Sequence, residues 1–196
     1  ADVELEGTAQ SGDSLTFYDE NNDIIGTGTV KQDGSFDVTM TTALAEGVHT
    51  VTATETDPSS QLTSPASDPF TVDVLPAPPI ITTLVNAQPV VNGAFVELQG
   101  TAEANETIAL FVDGGTTLVG TTVADGSGNF DVTTTVGIGD GAHSFTATET
   151  DSFGLTSPAS SGFTVDVIPS TPSITTLVGQ PIDNGTIDLQ GTGEKP

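Results

Sequence analysis

Six carboxylates in this chain recur as two sets of three at matching places, and their type and spacing could hold a cation. Glu55 and Asp57 close the stretch H-T-V-T-A-T-E-T-D, and Asp73 follows in F-T-V-D-V. Glu149, Asp151 and Asp166 repeat that arrangement further on. A strand has a period of two. Glu55 and Asp57 therefore share the parity of Val51 and Ala53, and Glu149 and Asp151 that of Phe145 and Ala147. Carboxylates on the core side belong at a strand end, where they emerge at one pole. Asp73 and Asp166 fall on the outward face, shortly before a proline. If they reach the same pole, three acids per copy converge near the linker. Ca2+, which takes about 6–8 oxygen ligands, is then the cofactor they would hold. The plainer alternative is a set of solvated strand-end acids that keep sheet edges soluble.

Other chemistry is weaker. Asp19, Asn21 and Asp23 begin like a calcium loop, but Ile24 stands where a glycine is needed and no glutamate closes it. An Asx-rich hairpin turn fits better. His49 and His143 occur once per copy, which makes neither a metal site nor a triad without partners. They read as strand-start residues at a sandwich edge. Ser64-Pro65 and Ser157-Pro158 lack the G-x-S-x-G surroundings of a nucleophile elbow and read as loops. A glycosidase pair of carboxylates would want aromatic rings for sugar stacking, and the chain has no Trp and one Tyr. No catalytic residue is assigned.

The elements that position these residues repeat. G-V-H-T-V-T-A-T-E-T-D, T-S-P-A-S and F-T-V-D-V (47–76) return as G-A-H-S-F-T-A-T-E-T-D, T-S-P-A-S and F-T-V-D-V (141–169). A period of about 93 residues is one domain's length of chain. Alternation predicts strands at 3–7, 14–18, 24–30, 36–40, 49–56 and 70–74, then at the matching places in the second copy, with turns at Asp33-Gly34 and Ser127-Gly128. In the last strand of each copy the Phe (Phe70, Phe163) and both valines are expected to face inward. Seven short strands per module without helical periodicity predict an all-β fold, tandem Ig-like antiparallel β-sandwiches.

The modules divide as follows. Residues 1–76 read as a module without its first strand, 77–169 as a complete one, and 170–196 as the opening strand or two of a third. Proline-rich junctions at Pro76–Pro79 and Pro169–Pro172 predict semi-rigid linkers. A spare strand in 173–187 could add to the gap in the first module of another chain. The opening residues show neither the basic nor the apolar region of a signal peptide.

Charge removes several partners. The 196 residues carry 2 Lys+Arg against 27 Asp+Glu, a net charge of -25. Nothing could neutralise the phosphates of nucleic acid or an anionic membrane surface. With no cysteine there is neither a disulfide nor a thiolate site. No apolar run reaches the ~18 residues of a membrane span.

The combination G-x-H-x-x-T-A-T-E-T-D, T-S-P-A-S, F-T-V-D-V, a Pro-rich junction and an Ile-rich strand resembles the bacterial Ig-like repeats of giant surface adhesins and biofilm-associated proteins. That resemblance implies an extracellular stalk of many similar modules at the bacterial surface, supporting cell adhesion and biofilm formation. It implies no enzymatic activity, and it names neighbouring modules as the main partners. In some members Ca2+ at module junctions stiffens the rod. The alternative is a glycan- or protein-binding module of a secreted protein, for which Phe153 is the one tempting loop aromatic. An accessory module of a secreted hydrolase is a third reading, which needs a catalytic domain elsewhere.

Overall fold

The computed structural model describes residues 3–175 and 190–192. Strands form throughout and no helix occurs among the described residues. The chain divides into two units, Ala1–Pro76 with Asp151–Thr156, and Ala77–Thr150 with Ser157–Pro196.

In the first unit the strands are β1 (Glu4–Thr8), β2 (Ser14–Tyr18), β3 (Ile24–Thr29), β4 (Ser35–Thr39), β5 (Gly47–Thr56) and β6 (Phe70–Val74). They make a four-stranded sheet in the order β3-β2-β5-β6 and a two-stranded sheet β1-β4. In the second unit β7 (Ile80–Leu84), β8 (Val90–Val91), β9 (Glu97–Thr101), β10 (Thr107–Val112), β11 (Thr117–Val123), β12 (Asn129–Thr133), β13 (Gly141–Thr150) and β14 (Phe163–Ile168) follow. Their sheets are β11-β10-β13-β14-β8 and β12-β9-β7. Further on, β15 (Ser173–Thr175) pairs antiparallel with β16 (Gln190–Thr192).

Alternation builds each core. In the second unit Leu98, Phe130, Val132, Ile108, Phe145 and Val165 come from both sheets and meet in one apolar cluster. In the first unit Leu15, Phe17, Ile25, Val38, Met40 and Val51 do the same. Burying such side chains stabilises by about 1.5–3 kcal/mol each relative to exposure.

The expected seven strands become eight in the second unit, because the opening strand is split. β7 pairs with β9 in one sheet, while β8 runs parallel to β14 in the other. Pro89, between them, has no N–H to give a ladder. Asn86 marks the departure, its Nδ2 donating to Phe95 O (2.9 Å) and its Oδ1 accepting from Glu97 N (2.6 Å). A register shift between Ile81 and Thr83 then turns both Ile81 and Leu84 toward the core.

The inward reading of Phe70 fails. That ring is 63% exposed, whereas Phe163 at the same place packs against its core. The same contrast runs through the pair of modules. Leu98 is fully buried, and Leu5, its counterpart, is only half-buried. Leu98→Ala should therefore cost about 2–5 kcal/mol, and Leu5→Ala distinctly less. Denaturant unfolding of the two variants, each against the parent chain, measures the difference.

Candidate functional site

Each copy has a polar pole at either end of its long central strand, β5 or β13. At the far end, β13 outruns β14. The register between them covers only Gly141–Phe145, so the amides of 146–150 on that side need other partners. The T-S-P-A-S segment supplies them. Ser160 N donates to Ala147 O (2.8 Å) while Ala147 N donates to Ser160 Oγ (2.9 Å). Ser157 N donates to Glu149 O (2.9 Å) while Glu149 N donates to Ser157 Oγ (3.0 Å). Ser67 and Ser64 do the same for Ala53 and Glu55 in the first copy. Each serine thus presents one backbone donor and one side-chain acceptor, imitating a strand residue where Pro65 or Pro158 forbids a regular ladder. These hydroxyls are structural, as the loop reading expects.

The strand-end glutamates turn inward beside them. Glu149 Oε2 accepts from Glu103 N (3.0 Å), and Glu55 Oε2 accepts from Gln10 N (3.2 Å). Each carboxylate so ties the end of one sheet to the turn that leaves the other. Glu149 is 1% exposed. Burial raises its pKa, the Glu103 amide opposes that, and the charges of Glu103 and Glu106 add to the rise. Its protonated form favours the fold, so its contribution falls as pH rises through the raised value. Asp57 and Asp151 act as turn caps. Asp57 Oδ1 accepts from Ser59 N (2.7 Å) and its Oδ2 from Ser60 Oγ (2.8 Å), contacts that lower its pKa. Asp151 Oδ1 accepts from the amides of Phe153 (2.9 Å) and Leu155 (2.7 Å).

The convergence of three acids does not occur. Asp73 lies opposite Val48, and Glu55 opposite Leu15. Those positions on β5 are seven residues apart, about 23 Å at 3.3 Å per residue. Asp166 stands opposite Ala142 and Glu149 opposite Ile108, with the same separation. Asp73 and Asp166 are exposed at the other end of their strands. Among the described residues no group of three or more His, Cys, Asp or Glu is placed to hold a metal ion. The donor set read from the sequence therefore does not fit Ca2+ within a module, and its inward members are occupied by amides.

Sequence reasoning missed Asp13, which the fold buries near Glu55 and Asp57. Burial first, then the charges of Asp57 and Glu55, raise its pKa. Nothing in the spacing of Asp13 along the chain announced that neighbourhood. The D-E-N-N-D loop is the hairpin turn expected, Asp19 Oδ1 accepting from Asn21 N (2.9 Å) and Asp23 N (2.8 Å).

At the near pole each histidine staples two loops. His143 Nδ1 lies 2.7 Å from Asp113 Oδ2 and Nε2 lies 3.1 Å from Gly139 O. His49 pairs likewise with Glu20 Oε1 (3.0 Å) and Ala45 O (2.8 Å). A carboxylate and a carbonyl both accept, so the doubly protonated imidazolium satisfies both contacts at once. Burial pushes the His49 pKa down, but the Ala45 carbonyl and the Glu20 carboxylate outweigh it, and the value ends above 6.5. The His143 contact in turn holds Asp113 below the usual carboxylate range, with the Ser144 amide helping. The signal for these partners was present in the sequence, since Glu20 and Asp113 are acids at the same place in the repeat.

The first unit also carries an open cleft of about 600 Å3 between β1 and the edge formed by β5, the Ser64–Ser67 loop and Phe70. Leu5, Phe17, Phe36, Val51 and Ala53 line it, with Glu4, Glu6 and Glu55 among its polar lining.

Two sandwiches with these strand orders, repeated in tandem, define an immunoglobulin-like class. A family model described as a bacterial Ig domain matches residues 1–73, and one described as a bacterial Ig-like domain matches 85–167. The chain belongs to the bacterial Ig-like domains. Among solved structures, a biofilm-associated protein BSP domain is similar at 18% identity over 87% of this chain, with a TM-score of 0.36. This chain spans 28% of the length of that one. A two-domain fibronectin type III segment of chicken tenascin is similar at 12% identity, over 85% of this chain and 93% of that one, with a TM-score of 0.47. None of the curated proteins matches this chain.

Two outcomes follow from the poles. A histidine with a raised folded pKa stabilises fully below about pH 6.5, and that contribution is lost as pH rises through the folded value. The His49 imidazole should accordingly titrate above 6.5 in NMR, and Glu20→Gln should lower its midpoint. Because the expected acids stay apart, thermal melts in Ca2+, Mg2+ and EDTA at fixed ionic strength should coincide.

Proposed function

We propose that this chain is a stalk segment of an extracellular bacterial adhesin, in which Ig-like modules carry an adhesive part away from the cell and so support cell adhesion and biofilm formation. The observation that carries this reading is the repetition itself. Two bacterial Ig-like modules follow one another across Pro76–Pro79, and both keep the same structural polar contacts at the same places. A sequence reused in tandem is selected for length and mechanical persistence more readily than for one reaction centre. The serines, histidines and strand-end acids of the described strands hold loops and sheet edges, which supports a structural role. A net charge of -25 suits an outer surface whose copies repel one another. No helix among the described residues is long and apolar enough to cross a membrane.

A stalk acts by its length, so its sequence is replaceable. In-frame removal of residues 1–169 from the surface protein should lower attachment and biofilm mass. An unrelated Ig-like pair of similar length should restore both. Beads coated with the isolated chain should bind no cells. Binding by those beads, together with failure of the unrelated pair, would replace the stalk with a ligand-binding module.

A further inference from the structure

Two asparagines of the second unit spend their side chains on structure. Asn86 uses both ends of its amide on Phe95 and Glu97, and Asn129 Nδ2 lies 3.4 Å from Asp125 Oδ1. Asn105 differs. It is exposed, and among the described residues its side-chain amide has no hydrogen-bond partner.

The backbone explains where Asn105 sits but not why it is asparagine. Residues 103–106 turn the chain between β9 and β10, and Glu106 N donates to Glu103 O (3.4 Å) to close the turn. Asn105 holds the third place with φ 68°, in the left-handed region, and its N–H donates to Ala124 O (3.1 Å). Asparagine tolerates that region better than most residues with a side chain, and glycine better still. The first module has Gly12 at the same place, with φ 89°. A turn that accepts glycine needs no side-chain amide, so the amide of Asn105 is available for chemistry.

Its neighbours complete a recognisable acceptor. Asn105-Glu106-Thr107 is an N-x-T tripeptide without proline at x, the form that N-linked glycosylation requires. Thr107 opens β10 and is exposed, so the hydroxyl two residues after the asparagine is open to a transferase. Glu103, two residues before it, is exposed as well. The run Glu103-Ala104-Asn105-Glu106-Thr107 thus has an acid where bacterial oligosaccharyltransferases read one. In the first module the aligned run is Gln10-Ser11-Gly12-Asp13-Ser14, which keeps a hydroxyl and lacks both the asparagine and the leading acid. A further tripeptide of this type, Asn184-Gly185-Thr186, has Ile182 at the place of the acid and lies outside the described residues.

We infer that Asn105 is an N-glycosylation site, which takes an oligosaccharide from a polyprenyl diphosphate carrier outside the cytoplasm. The inference rests on the extracellular reading above, because the acceptor must leave the cytoplasm to meet such a donor. In the transfer, Asn105 Nδ2 forms a bond to the anomeric carbon of the first sugar. The bond from that carbon to the diphosphate oxygen breaks. Polyprenyl diphosphate leaves with the bonding pair, and one Nδ2 proton passes to a base of the transferase. The surroundings accept the product. Ala104 beside it, and Asp125, Gly126 and Ser127 in the neighbouring turn, are all exposed, so a sugar chain meets solvent rather than packed side chains.

The test uses the whole surface protein, recovered from the cells that make it. The peptide spanning Glu103–Thr107 should carry a sugar mass, and fragmentation should place that mass on Asn105. Asn105→Gln and Thr107→Ala, made in the gene, should each remove it, Glu103→Gln should remove most of it, and Thr107→Ser should keep it. Asn105→Gln should leave the thermal melt of the isolated chain unchanged, since the side chain it replaces is exposed and unbonded. A bare peptide on protein at the cell surface, or a sugar mass that survives Asn105→Gln, would overturn this site and leave the stalk reading standing. Protein confined to the cytoplasm would overturn both.

Discussion

The constraint on which the rest of this structure depends is the satisfaction of backbone amides where a strand outlasts its neighbour. β5 and β13 are ten residues long and β6 and β14 are shorter, so half of each long strand would present bare N–H and C=O groups on one side. A buried group left so costs about 1–3 kcal/mol. The two serines of T-S-P-A-S answer this by hydroxyl and amide together, and the intervening proline keeps the segment from becoming a regular edge strand. The repeated motif is thus a sheet-edge device. Its identity in both copies reflects one local solution to one local problem.

The poles follow from the same long strand. Its far end brings an inward glutamate to the amide of Gln10 or Glu103, in the turn after β1 or β9, which joins the two sheets. Its near end brings a histidine between a carboxylate and a carbonyl, which joins two loops. In a chain so poor in Lys and Arg, each histidine ring lies against a carboxylate, Glu20 or Asp113. Elsewhere like charges face each other. Glu6 stands opposite Asp37 in the first copy, where the second has Gln99 donating to Asp131 (3.0 Å).

The differences between the copies are as informative as their likeness. The first keeps the inward leucine, the glycine and the facing aromatic, yet Leu5 and Ala53, counterparts of the fully buried Leu98 and Ala147, stand half-buried. In the second copy β7 lies beside β9 and β8 beside β14, and the described residues of the first copy have no such strands beside β1 and β6.

Strand positions, the repeat, the all-β class and the loop character of the Ser-Pro segments were legible in the sequence. They depend on period-two alternation and on turn residues, which are local. The split of the opening strand was half legible: Pro89 is visible, but the change of sheet is a matter of which neighbour is nearest. The acids were misread for the same reason. Parity told which way Glu55 and Asp57 point, and it cannot tell at which end of a neighbouring antiparallel strand Asp73 lies. By itself, then, the sequence determined element type, inward and outward faces and the repeated unit, because those are set within a few residues by backbone stereochemistry and hydrophobic alternation. The tertiary structure decided which carboxylates meet and which amides a serine or glutamate reaches. Those depend on strand pairing between residues far apart in the chain, where register, not composition, sets the distance.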